Sequence, residues 1–133
     1  MLGKLMASSG LLLAACLAAT PAAGLSLNDF RAASHRPPLR VDGKLAAMAA
    51  RHAADMARRN SLDHAGFMSE RGPAGARAEN VAFGCPDQDC VIRQWSRSGR
   101  HRANMLRADV HGYGIAAATS ASGRRYWVLV LGR

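Results

Sequence analysis

Lysine is nearly absent from this 133-residue chain. Of its 18 basic residues, 16 are arginine, and only Lys4 and Lys44 are not. Acidic residues are few as well, 9 in all, which leaves a formal net charge of +9. The arginines are spread out, with no dense basic run. Aromatics are scarce too: Phe30, Phe67, Phe83, Trp95, Tyr113, Tyr126 and Trp127 are the full set. A surface that binds single-stranded nucleic acid combines a basic groove with aromatic platforms. With no dense basic run and few aromatics to stack on, no nucleic-acid partner is expected, and the charge reads as composition or general anionic affinity. With three cysteines, a four-thiolate zinc site is excluded. No His-x3-His pair and no glycine-framed nucleophilic serine occurs.

The longest apolar stretch lies at the start. Lys4 precedes a run from Leu5 to Ala19 whose polar members are Ser8, Ser9 and Cys16. A basic n-region followed by an apolar h-region is a secretory signal. The run breaks at Thr20-Pro21, short of the roughly 20 apolar residues that a membrane-spanning helix needs. Leu13-Ala14-Ala15-Cys16 resembles a bacterial lipobox, and lipid on Cys16 would tether the protein to a membrane. Cleavage in Thr20-Pro21-Ala22-Ala23-Gly24, which discards Cys16, is the alternative. Residues 1–24 are therefore expected to be signal and short tether, and 25–133 one domain with a modest core. The expected location is the cell envelope or outer membrane as a lipoprotein, or the periplasm or exterior. Cys85 and Cys90 lie five apart, which suits a loop disulfide in an oxidising compartment. Free thiols and a two-thiolate metal site are the alternatives.

Within the domain, Ser26 and Asp29 form a weak capping box for a short helix over 25–34, ended by Pro37-Pro38. Asp42 caps the clearest helix, Lys44 to Arg59. Leu45, Met48, Ala49, His52, Ala53 and Met56 recur there at steps of three and four. His52, on that apolar stripe, reads as a buried histidine bonded to backbone. The stretch from Asn60 to Ala78 is expected to be irregular, because Gly66, Gly72, Pro73 and Gly75 interrupt it. A loop so long in a small domain is usually functional or disordered. A short strand is predicted at Val81–Phe83, a helix from Gln88 to Arg97, and a helical turn from His101 to Leu106. Strands follow at 112–119 and 125–131. Tyr126, Val128 and Val130 alternate with Trp127, Leu129 and Leu131, so the last strand is apolar on both faces and central. These elements predict an α+β fold, a three-layer α-β-α sandwich around a small central antiparallel sheet.

The candidate site is His64, Glu79 and His101, each in a polar setting. Two imidazoles suit Zn2+ or another divalent cation, with water or Glu79 completing the shell. Glu79 is alternatively an orienting group or a proton acceptor. As solitary residues, the same three serve as caps or surface groups. Trp95 and Trp127 belong to the core, and Arg100 and Arg102 to the solvated surface.

An ordered series of segments resembles the bacterial branch of the CAP or SCP superfamily: cysteine-rich secretory, antigen 5 and pathogenesis-related class 1 proteins. The matching pieces are Leu39 to Leu45, Ala49 to Ala57, Leu62-Asp63-His64 and Ala78-Glu79-Asn80-Val81-Ala82. Trp95 to Leu106, Gly112 to Ala116 and Tyr126-Trp127-Val128 complete the series. The resemblance implies an α-β-α sandwich with a cleft holding two histidines and two acidic residues. Here these are His64, His101 and Glu79, with Asn80 alongside, while Ser98 occupies the second acidic position. That departure weakens a protease reading. The function expected first is a non-catalytic binding module with a metal-capable cleft, so more a binder than an enzyme. A metal-assisted hydrolase of peptide or envelope material and a lipid or sterol carrier are the alternatives. The ligand expected is lipid, peptide or envelope polymer.

Overall fold

The computed structural model describes residues 24–133, so the signal stretch and Cys16 lie outside the described residues. The chain runs through α1 (Leu27–Ala33), β1 (Arg40–Val41), α2 (Gly43–Arg59) and a π-helical turn (Phe67–Arg71). It continues through β2 (Ala76–Phe83), α3 (Gln88–Ser96), α4 (Gly99–Met105), β3 (Gly112–Thr119) and β4 (Arg125–Gly132). Strand order in the sheet is β1-β3-β4-β2. The three long strands are antiparallel; the two-residue β1 adds a parallel edge to β3, which makes the sheet mixed.

The helices begin where side chains can replace missing backbone acceptors. Ser26 Oγ accepts from Asp29 N at 3.1 Å, and Asp29 Oδ2 accepts from Ser26 N at 2.9 Å. The aspartate version of the capping box therefore closes on both sides. Asp42 Oδ1 accepts from Leu45 N at 2.9 Å to start α2. Asn60, with φ +51°, ends that helix in the left-handed conformation.

Two apolar clusters sandwich the sheet. The stripe of α2, Leu45, Met48, Ala49, Ala53 and Met56, packs on Tyr126, Val128 and Val130. The other face of β4, Trp127, Leu129 and Leu131, packs with Leu27, Phe30, Val91, Ile92, Trp95 and Met105 from α1, α3 and α4. Three layers result, with β4 covered on both sides. Helix α2 lies close to β3 because Gly114 has no side chain. A Cβ there would meet the Ala46 backbone nitrogen at 2.1 Å, so any larger residue would push the layers apart.

Two expectations need correction. The 60–78 stretch is not wholly irregular: it carries the π-helical turn, and β2 begins at Ala76. The strand is thus eight residues long rather than the short Val81–Phe83 segment, and Glu79 and Asn80 lie inside it. Polar residues in mid-strand concealed it from a reading of apolar alternation. The expected loop disulfide is present: Cys85 and Cys90 are bonded, with Cα atoms 5.5 Å apart, and join the end of β2 to the first turn of α3.

β2 is an edge strand, and its outward carbonyls are exposed to unwanted pairing. Side chains cover two of them. Trp95 Nε1 donates to Val81 O at 3.2 Å and Asn104 Nδ2 to Glu79 O at 3.4 Å.

Candidate functional site

Glu79 and Asn80 are consecutive in β2, so their side chains leave on opposite faces of the sheet. Glu79 turns to the α2 layer and is buried, at 6% exposure. A lone buried carboxylate is costly without countercharge. Arg71 supplies it: Nε lies 2.5 Å from Oε2 and Nη2 lies 2.9 Å from Oε1. The third guanidinium nitrogen donates to Ala65 O at 2.9 Å. The π-helical turn makes this reach possible. Arg71 N bonds to Gly66 O and Gly72 N to Phe67 O, each five residues back. That wider turn directs Arg71 inward, and π turns are frequent at functional sites.

His64 Nδ1 lies 2.9 Å from Glu79 Oε1. A carboxylate paired with a guanidinium accepts, so Nδ1 is the donor here and Nε2 is left free of Glu79. The His64 side chain is 51% exposed while Glu79 is 1% exposed. His52 Nε2 donates to Asp63 O at 2.8 Å, the backbone bond expected of it, and also stands 3.7 Å from Glu79 Oε1. Asp63 in turn takes two bonds from Arg59 and one from Ala65 N. The Arg59 bonds, above all, hold its carboxyl well below the usual carboxylate range. The turn carrying His64 is therefore pinned on both sides.

Asn80 turns to the α4 layer, fully buried. Its Nδ2 donates to His101 O at 3.0 Å, and its Oδ1 accepts from Asn104 Nδ2 at 2.9 Å. His101 is half-buried beside Trp95, with ring centroids 6.5 Å apart. Burial lowers the His101 pKa, and the His64 charge lowers it further.

Ser98 is the N-cap of α4 and makes no side-chain capping bond. Among the described residues, no group of three or more His, Cys, Asp or Glu side chains is placed to share a metal ion. With Glu79 engaged by Arg71, the donors left for a cation are the imidazoles of His64 and His101. The residues not anticipated from sequence are Arg71 as the partner of Glu79, the second role of His52, and Asn104. A buried carboxylate implies a cation nearby, but nothing in the spacing of the 60–78 stretch singles out Arg71.

The model of the CAP family, described as the cysteine-rich secretory protein family, matches residues 26–131. The chain belongs to this family. Its fold is similar to that of an outer surface protein from Borrelia burgdorferi, at TM-score 0.66 and 14% identity. That match covers 80% of this chain and 86% of the other. An extracellular SCP-domain protein from Bacillus anthracis matches at TM-score 0.58 and 22% identity, over 78% of this chain and 37% of that one. A cysteine-rich secretory protein from Staphylococcus aureus matches at TM-score 0.59 and 18% identity, over 80% of this chain and 36% of that one. This CAP chain thus spans little more than a third of those last two proteins. No curated protein matches it.

Proposed function

We propose that this CAP protein is an exported, non-catalytic binding module of the bacterial cell envelope or exterior. In this reading His64 and His101 offer two nitrogens to a divalent cation, zinc by donor type. Glu79 orients His64 and is neither ligand nor base. The observation that carries the reading is the bonding of Glu79. Its carboxylate accepts from Arg71 twice and from His64 Nδ1 once. A carboxylate that fixes the far nitrogen of a histidine is a common second layer around metals. One so fully engaged is poorly suited to take a proton from water, which favours binding over hydrolysis. Two protein nitrogens leave the remaining positions of a bound cation for water or for ligand donors. The ligand would be an envelope polymer, peptide or lipid that brings an oxygen donor.

Bacterial neighbours and Ser98 in place of a second acidic residue support the bacterial branch. The apolar run ending at Leu13-Ala14-Ala15-Cys16 supports export with lipid on Cys16. Calorimetric titration of the purified, disulfide-oxidised protein with zinc tests the metal reading. Saturable binding is expected, lost in His64→Ala and in His101→Ala. Binding that survives both changes, or none in the wild type, refutes the site. Zinc-dependent turnover of peptide or cell-wall material would replace the binding reading with a hydrolytic one.

A further inference from the structure

A cavity of about 480 Å³ lies between α2 and the π-helical turn. Its lining includes His52 and Arg71 but neither His64 nor His101. The volume falls in the range of small-molecule sites, roughly 300–1,000 Å³. Met48, Ala65 and Ala74 give it apolar surface, and four charged side chains stand around it: Arg51, Asp55, Glu70 and Arg71.

Two of the four are already engaged. Arg71 is bonded through all three nitrogens to Glu79 and Ala65 O. Asp55 accepts from Arg58 Nη2 at 2.6 Å and from Arg59 Nε at 2.9 Å. The other two have no side-chain hydrogen bond or ion pair among the described residues: Arg51 on the helix wall and Glu70 on the turn wall. They are of opposite sign, line the same cavity and do not pair with each other.

We propose that this cavity binds a zwitterionic ligand of amino-acid or dipeptide size. Its carboxylate meets the Arg51 guanidinium, its ammonium meets the Glu70 carboxylate, and its small side chains lie on Met48, Ala65 and Ala74. A guanidinium recognises a carboxylate through paired, charge-assisted hydrogen bonds. Glu70 supplies the matching acceptor for an ammonium. A ligand with one charge of each sign satisfies both walls; a simple anion or cation leaves one wall unmatched. The proposal is independent of the zinc reading, since neither His64 nor His101 is part of the lining.

The test is amide NMR of the purified, oxidised protein titrated with alanyl-alanine. Saturable shifts are expected at Ala65, Gly66, Glu70 and Ala74. Arg51→Gln and Glu70→Gln, both exposed positions, should each weaken binding about tenfold through loss of one charge-assisted contact. N-acetyl-alanyl-alanine lacks the ammonium and alanyl-alanine amide lacks the carboxylate, so each should bind about as weakly as the matching variant binds the free dipeptide. Absence of saturable shifts overturns the proposal. So does equal binding of the blocked peptides, or wild-type affinity in both variants.

Discussion

Glu79 and Asn80 are neighbours on one strand, both buried, and they satisfy burial in opposite ways. On the α2 face the group is charged, and the chain brings charged and titratable partners to it: Arg71, His64 and His52. All three come from one stretch, α2 and the loop that follows it. On the α4 face the group is a neutral amide, met by the Asn104 amide and a backbone carbonyl. The two histidines inherit this difference. His64 is held by its ring, so the direction of its free nitrogen is set by Glu79. His101 is held by its backbone, so α4 and Trp95 place its ring. A carboxylate in mid-strand thus organises a long loop, whereas an amide in mid-strand locks a short helix.

The sharpest way to break the comparison is to strip the charge from one partner on the α2 face. Arg71→Met leaves Glu79 buried and uncompensated, and should cost about 3–5 kcal/mol of unfolding free energy. Pairing it with Glu79→Leu should recover most of that loss, because no lone charge remains. Chemical denaturation of the two variants measures both terms. A single-variant loss under about 1 kcal/mol would mean that the ion pair is not a buried one. On the α4 face, Asn80→Ala takes the side-chain donor from the His101 carbonyl and leaves the Asn104 amide only its longer bond to Glu79 O. The cost there should be smaller, about 1–3 kcal/mol. If Asn80→Ala costs as much as Arg71→Met, charge is not what separates the faces. The disulfide sits at the end of the same strand and closes a short loop. Cys85→Ser with Cys90→Ser should lower stability by about 2 kcal/mol on loop-closure grounds, read by the same denaturation.

The neutral and apolar parts of this molecule were more legible in the sequence than the charged part. The stripe of α2 and the two-faced apolar pattern of β4 follow from periodicity, and the layered α-β-α order follows from the succession of elements. The length of β2 did not, because Glu79 and Asn80 interrupt its apolar pattern while forming its most tightly bonded portion. Gly66, Gly72 and Gly75 suggested an irregular loop, although the stretch contains a π-helical turn that aims Arg71 inward. Turn type depends on which carbonyl each N–H finds, and composition does not specify that. His52 carried a partial signal: a polar residue on an apolar stripe requires a polar partner. Asp63 O is that partner, while the approach of Glu79 depends on strand register.

The smallest expected effect concerns His101, on the α4 face beside Trp95. Burial disfavours its imidazolium, and the nearby His64 charge disfavours it further. Its midpoint in the folded protein should therefore lie below the ordinary 6.5. As pH falls below 6.5, the unfolded chain takes up this proton before the folded one does, so stability declines until the folded midpoint is passed. Above 6.5 both states are neutral at this site and the contribution is constant. With the ring only half-buried, the loss should stay below about 1 kcal/mol. An NMR titration of the His101 ring reads the midpoint directly. His64→Ala should move it upward but leave it under 6.5, because burial is the larger cause. A wild-type midpoint at or above 6.5 would mean that the ring is solvated. No movement in His64→Ala would mean that His64 does not act on the His101 ring and that burial alone sets its midpoint.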